Sequence, residues 1–196
     1  MKVGITGGIG SGKTSVCRVF ETYHIPIFHA DQQAQELYRL PEIIYWLKHN
    51  ISADVIDSTN SVNKKKLASL VFSNANKLKQ LEDYIHPIVR QKFDDWYIRQ
   101  QNAPYVLYES AILFETGRFK SFDKTIVVTA PEKVRIERVM LRDRLTASEI
   151  RQRMTKQWID ERKIALADFV LENIEWPKTL QQIEHIHRIL LSTTDQ

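Results

Sequence analysis

Eight residues near the start of the chain, Gly7-Gly8-Ile9-Gly10-Ser11-Gly12-Lys13-Thr14, carry the most specific chemistry in the sequence. Their spacing is G-x-x-x-x-G-K-[ST], a phosphate-binding loop. Glycines let a backbone take positive φ and approach a ligand closely. Successive N–H groups can then converge on phosphate oxygens. A helix starting near Lys13 adds the positive end of its dipole. The cradle is expected to comprise Gly8, Ile9, Gly10, Ser11, Gly12, Lys13, Thr14 and Ser15, with Lys13 reaching the β/γ-phosphates and the Thr14 hydroxyl holding Mg²⁺. A flexible glycine-rich turn with a chance lysine is the bland alternative. The apolar run Val3-Gly4-Ile5 before the motif and the helical pattern after it favour a site for a nucleoside triphosphate.

Three further groups of residues suit work on such a ligand. Asp31 follows the strand-like run Ile25-Pro26-Ile27-Phe28-His29. In an open parallel sheet, ligands bind beyond the carboxyl ends of strands. A carboxylate there could take a proton from an acceptor hydroxyl or join a magnesium shell; equally, Asp31 could cap a helix over 32–40. Glu109 closes the apolar run Tyr105-Val106-Leu107-Tyr108. That is the position of a carboxylate that holds the water shell of Mg²⁺, or of a charged strand end facing solvent. Arg135, Arg138 and Arg142 share one helix face by their spacing, and Arg144, Arg151, Arg153 and Lys156 follow. Guanidinium groups bind phosphate oxygens in a fork and stabilise charge spread over a transition state. These residues read as a lid over phosphates, or as a solvated face paired with Glu137, Asp143 and Glu149.

The elements that must position these groups alternate strand and helix. Strands are expected over 2–6, 25–29, 105–109, 124–129 and 168–173, with helices over 14–23, 32–40, 41–51, 64–72, 75–101, 132–144, 146–165 and 177–191. Thr146-x-x-Glu149 reads as a capping box, and Pro87 should start or kink a turn. The pattern predicts an α/β fold with a five-stranded, mainly parallel sheet between helical layers. Periodicity alone leaves the strand order open. Residues 1–196 read as one domain: a core over about 1–30, 103–130 and 166–196, a helical insertion over about 31–102, and an Arg-rich lid over about 131–165. The insertion is larger than a crossover needs and is a natural place for a second substrate. His86 lies within it. A lone His before Pro is usually structural, so His86 is a candidate only. His185 and His187 are expected at the surface, and 192–196 as a frayed tail.

Composition bounds the rest. The chain has 196 residues, 43% hydrophobic and 27% charged, with a formal net charge of +4. From Pro131 to Ala165 there are ten Lys/Arg and six Asp/Glu, so that segment carries the whole excess. A local basic segment favours a specific anionic ligand over a general nucleic-acid surface. No apolar run approaches the ~20 residues of a membrane span. Cys17 is alone and reads as a small packing residue. The early strand leaves no room for a secretory signal, so the expectation is a cytoplasmic monomer acting on small molecules, with no nucleic-acid or membrane partner.

Among triphosphate users, a GTPase is disfavoured: Asn63-Lys64-Lys65-Lys66, the nearest match to [NT]-K-x-D, ends in Lys, and Glu109-Ser110-Ala111-Ile112 is not a D-x-x-G switch. A signature motif of motor or transport ATPases is also missing. A small kinase remains, with a catalytically silent nucleotide-binding protein and a nucleic-acid binder as rivals.

The sequence resembles the dephospho-coenzyme A kinase family over nearly its whole length. Thr6–Thr14 is similar to that family's phosphate loop, and Ile27-Phe28-His29-Ala30-Asp31 to its strand-ending D-A-D. Lys66-Leu67 to Val71-Phe72, Leu81-Glu82 and His86-Pro87-Ile88 resemble its acceptor-side helices. Glu109–Glu115 occupies the place of D-x-P-L-L-F-E. Arg138, Arg142-Asp143 and Arg153–Gln157 resemble its lid, and Ala167-Asp168 to Asn173 its A-D-x-V-I-x-N strand. His29, Glu109 and Ala111 depart from that pattern, which has Asp, Asp and Pro there. The resemblance implies transfer of the ATP γ-phosphoryl to the ribose 3′-hydroxyl of dephospho-CoA, the last step of coenzyme A synthesis. It further implies Asp31 as base, Lys13 with Arg138 or Arg142 on the moving phosphoryl, Thr14 and Glu109 at Mg²⁺, and Asp31, His86 and Glu115 towards the acceptor.

Overall fold

The computed structural model describes residues 1–194 and divides them into two compact units, one of 1–29 with 99 onward and one of 30–98. The first unit is built on five strands: β1 (Lys2–Gly7), β2 (Ile27–His29), β3 (Val106–Glu109), β4 (Lys124–Thr129) and β5 (Phe169–Glu172). They lie in the order β2-β3-β1-β4-β5, and every neighbouring pair is parallel. Parallel neighbours cannot be joined by tight turns, so each strand leads into a crossover that covers a sheet face. Central strands covered on both faces lose the alternation of polar and apolar residues. β1 accordingly buries every residue from Val3 to Gly7.

One face packs Val3, Ile5, Leu107, Ile126, Val128 and Leu171 against two helices, α1 (Lys13–Thr22) through Val16, Cys17 and Phe20, and the C-terminal helix (Trp176–Thr194) through Ile183, Ile186 and Leu190. Cys17 is fully buried there, and burial pushes its thiol well above the ordinary range. The opposite face is tight at Gly4, where an added Cβ would lie 2.7 Å from Leu113 Cδ2. Three helices return along the chain before β5: α6 (Glu132–Asp143), α7 (Ala147–Met154) and α8 (Asp160–Ile164). Thr146 and Glu149 form the expected capping box, with Thr146 N donating to Glu149 Oε2 at 2.8 Å. The helix expected to continue to 165 instead stops at Met154. The reason is tertiary: Gln157 and Trp158 make hydrogen bonds to distant loops, and a continuous helix would forgo them.

The second unit is helical. It contains α2 (Ala30–Leu37), α3 (Pro41–Asn50), α4 (Lys64–Phe72) and α5 (Ala75–Ile98). Pro41 sits in the first turn of α3, where its missing N–H costs nothing. The Asn63 side chain caps α4 by accepting from Lys66 N at 3.0 Å. Pro87 lies inside α5, which runs unbroken on both sides of it. Leu37, Ile43, Leu47, Val55, Leu67, Val71, Leu81 and Ile85 are buried, and the Trp46 and Tyr84 rings stack at 3.9 Å. The C-terminal helix of the first unit is α9 (Trp176–Thr194).

Several local expectations change. Asp31 is not a helix cap, because α2 already begins at Ala30 and Asp31 lies in its first turn. His187 is half-buried rather than free at the surface: its Nδ1 is 2.6 Å from the Tyr105 hydroxyl and its ring stacks on Tyr23 at 4.6 Å. The expected frayed tail is helical through Thr194, because α9 continues past Ser192; 195–196 lie outside the described residues. Among the described residues no helix is long and apolar enough to cross a membrane.

Candidate active site

The site grows from the carboxyl end of β1. The sheet register sets Ile5 opposite Glu109 on one side and Gly7 opposite Val128 on the other. β1 therefore delivers the glycine loop beside the Glu109 carboxylate. The loop closes with a turn from Ser11 N to Gly8 O at 3.0 Å. Gly10 and Gly12 have φ of 78° and 92°, a region that L side chains rarely adopt. A Cβ would also collide there, at 2.4 Å from Arg135 O for Gly10 and at 2.0 Å from Asn173 Nδ2 for Gly12. Gly12 is the N-cap of α1, and neither a capping side chain nor an acidic residue satisfies the first turn. The helix end thus presents N–H groups to a ligand. Thr14 and Ser15, in that turn, are exposed.

Three buried polar atoms around this loop have no hydrogen-bond partner among the described residues: Thr6 Oγ1, Ser11 Oγ and Arg138 Nη1. Buried polar groups are normally satisfied, so an unmatched set at one place calls for a polar ligand. Lys13 Nζ donates to Gly7 O at 3.1 Å and lies 3.9 Å from Glu109 Oε1. Glu109 Oε2 is 3.2 Å from His29 Nδ1. That contact to Glu109 holds the His29 pKa above its ordinary value, against the opposing effect of burial. Lys13, Glu109 and His29 are thus one charged cluster at the loop's base.

The arginines separate. Arg138 Nη1 stands 3.9 Å from where a Cβ on Gly12 would be. Arg135 pairs with Asp160 at 3.3 Å and presses on Gly8, where a Cβ would fall 2.0 Å from its Nη1. Arg142 instead forms an exposed fork with its neighbour Asp143, at 2.7 and 2.8 Å. Glu115 accepts from Trp158 N at 2.8 Å and pairs at 3.0 Å with Lys163, which is fully buried. Asp31 and His86 belong to the helical unit, in α2 and α5. Burial lowers the His86 pKa.

Among the described residues no group of three or more His, Cys, Asp or Glu side chains could hold a metal. The Thr14 hydroxyl, exposed in the first turn of α1, and the Glu109 carboxylate at the end of β3 are oxygen donors of the kind Mg²⁺ takes alongside water and phosphate oxygens.

Two positioning contacts have no local signal in the sequence. Asn173, just after β5, donates from Nδ2 to Ser11 O at 2.8 Å. Gln157 accepts from Ile9 N at 2.8 Å. Each was marked only by the family resemblance, Asn173 as the last residue of the A-D-x-V-I-x-N segment and Gln157 as the last of the lid segment.

The sequence profile of the dephospho-CoA kinase family matches residues 1–177. The dephospho-CoA kinase of Chlorobium luteolum is 38% identical over 178 residues, covering 87% of this chain and 81% of that one. A Thermus thermophilus crystal structure matches with a TM-score of 0.88 at 31% identity, over 98% of this chain and 97% of that one. The dephospho-CoA kinase structure from Campylobacter jejuni shares the fold with a TM-score of 0.70 at 23% identity, over 98% and 99% of the two chains. The chain belongs to the dephospho-CoA kinase family.

Proposed function

We propose that this chain carries out its family's reaction, the phosphorylation of dephospho-CoA by ATP, at the ribose 3′-hydroxyl and with the glycine loop as the ATP site. The observation that carries the reading is the Lys13 ammonium, held between Gly7 O and Glu109 next to buried, unmatched Thr6, Ser11 and Arg138 atoms. Phosphoryl transfer needs positioning and charge stabilisation more than covalent chemistry. The N–H groups of the loop beyond Ile9, whose own N–H is bound by Gln157, and of the first turn of α1 receive phosphate oxygens. Lys13 exchanges its Gly7 contact for the β/γ-phosphates. Arg138 neutralises charge on the moving phosphoryl, in preference to Arg142, whose guanidinium is occupied by Asp143. Asp31 takes or orients the proton of the acceptor hydroxyl, and His86 and Glu115 serve the acceptor side. Mg²⁺, when bound through Thr14 and the water shell held by Glu109, supplies charge neutralisation and alignment of the phosphates. Closure of the Arg-rich segment over the phosphates excludes water and limits idle hydrolysis. The reading takes the enzyme as a cytoplasmic monomer.

The test is ADP release with Mg-ATP and dephospho-CoA, run beside Asp31→Asn, with ATP affinity measured separately. Loss of a general base costs about 10²–10⁴-fold in turnover. Turnover that requires dephospho-CoA and falls by that range in the variant, with ATP affinity kept, supports substrate and role. Undiminished turnover in Asp31→Asn removes Asp31 from the mechanism. A folded, ATP-binding protein without turnover on dephospho-CoA refutes the reaction.

A further inference from the structure

We propose that Gln157 is a positioning residue of the phosphate loop, fixing its crown and tying it to the segment that follows Glu109. The side-chain amide is used at both ends. Oε1 accepts from Ile9 N at 2.8 Å, and Nε2 donates to Ala111 O at 3.0 Å. The orientation of the amide is dictated by its partners, since a flip would set N–H against N–H and C=O against C=O. One side chain therefore bridges the glycine loop and the loop two residues beyond Glu109.

The bond to Ile9 has a consequence for ligand binding. It takes the Ile9 N–H out of the set available to phosphate and leaves that work to the N–H groups further along the loop. The Ile9 side chain packs with the cluster of Ile136, Val139 and Ile150. Backbone and side chain of Ile9 are thus both held by the segment over 132–157, and the crown of the loop has one defined position.

Gln157 can do this because the chain just after it is itself anchored. Trp158 N donates to Glu115 Oε1 at 2.8 Å. Lys163 Nζ reaches the same oxygen at 3.0 Å. Asp160 accepts from Thr129 Oγ1 at 2.7 Å and pairs with Arg135 at 3.3 Å. Within 157–163, side chains and one N–H reach the glycine loop, the segment after β3, the end of β4 and α6. Gln157 is the member of this strap that hydrogen-bonds to the loop backbone. It acts through Ile9 and Ala111, and is a positioning residue rather than a catalytic one.

The proposal rests on the reading of 7–14 as the ATP site, so its test has a readout that does not need ATP. Amide exchange at Ile9 is measured in wild type, Gln157→Met and Gln157→Glu. Met matches the length and makes neither bond; Glu keeps an acceptor for Ile9 N and loses the donor to Ala111 O. The expected result is Ile9 exchange faster by about tenfold or more in Gln157→Met, protection kept in Gln157→Glu, and unchanged exchange in the sheet core. In the same Met variant, ATP affinity should fall by about tenfold while KM for dephospho-CoA stays within about twofold. Unchanged Ile9 exchange in Gln157→Met overturns the proposal. Equal acceleration in the sheet core overturns it too, because Gln157 would then serve global stability alone. Faster Ile9 exchange with unchanged ATP affinity overturns the functional part. Failure of the wild type to bind ATP would instead refute the ATP site and leave the exchange result standing.

Discussion

The glycine loop and the helical unit over 30–98 are held together by different means. Five of the six glycines lie within the first 12 residues, and none lies between 30 and 98. At Gly7, Gly8, Gly10 and Gly12 the space for a Cβ is already taken by backbone or polar atoms, from as close as 2.0 Å. The loop's side-chain braces come from far along the chain, Gln157 and Asn173. The helical unit is held by the volumes of Leu, Ile and Val side chains and by local caps such as Asn63. A loop fixed by polar contacts of defined direction has one shape, which suits a ligand of one shape, the phosphate chain. A unit fixed by apolar volume tolerates substitution of similar size. The first depends on geometry and the second on packing, and substitutions should separate them.

The largest expected effect is at Gly12. Alanine there needs a Cβ 2.0 Å from Asn173 Nδ2 at a φ of 92°, so the loop or Asn173 must move. ATP affinity, measured by calorimetry, should fall by about 10²-fold or more, as when bound groups are displaced by about an ångström. Gly117 provides the control. It also has positive φ, 69°, but nothing lies within 4 Å of the position a Cβ would take. Gly117→Ala should cost only the left-handed backbone penalty, ~1–2 kcal/mol of stability, with ATP affinity kept. If Gly12→Ala binds ATP as tightly as wild type, the loop is not the rigid region that the contrast requires.

How much of this was legible in the sequence follows the same division. The loop, its following helix and the five strands were readable, because local spacing and continuous apolar runs dictate them. The family resemblance was legible too, because it rests on the order of many short motifs. Strand order was not, since parallel crossovers of either length fit the pattern. The break at Met154 and the roles of Gln157, Asp160 and Asn173 were not readable, because their partners lie elsewhere in the chain and leave no periodic mark. Arg142 shows the limit of helix-face arguments. It shares a face with Arg138 by spacing, yet its guanidinium is bound by the adjacent Asp143.

A substitution in the helical unit should have the opposite profile to Gly12→Ala. Leu47 is fully buried in α3. Leu47→Ala removes packed volume and leaves a cavity, at about 2–5 kcal/mol of stability. Denaturant unfolding should register that loss, while calorimetry finds ATP affinity within about twofold, because Leu47 is not among the side chains that brace the loop. A large drop in ATP affinity for Leu47→Ala, in protein that remains folded, would mean that loop geometry depends on the helical core and would break the contrast.

The smallest expected effect comes from a group that is neither loop nor helical unit. His187 of α9 lies against the Tyr105 hydroxyl and the Tyr23 ring, and burial lowers its pKa from the ordinary 6.5. The unfolded chain therefore takes up the proton at a higher pH than the folded one. Over that interval stability rises with pH. The contribution of His187 is complete above its unfolded value and is lost as pH falls through the folded one. His187→Gln removes the titration. Thermal unfolding of wild type should lose more stability than the variant between about pH 7.5 and pH 5, and the two slopes should coincide above about pH 7.5. The difference between the two proteins isolates this ring, because His29 and His86 titrate alike in both. Equal acid slopes would mean that the ring titrates freely, and that the contact between α9 and the start of β3 does not hold it neutral.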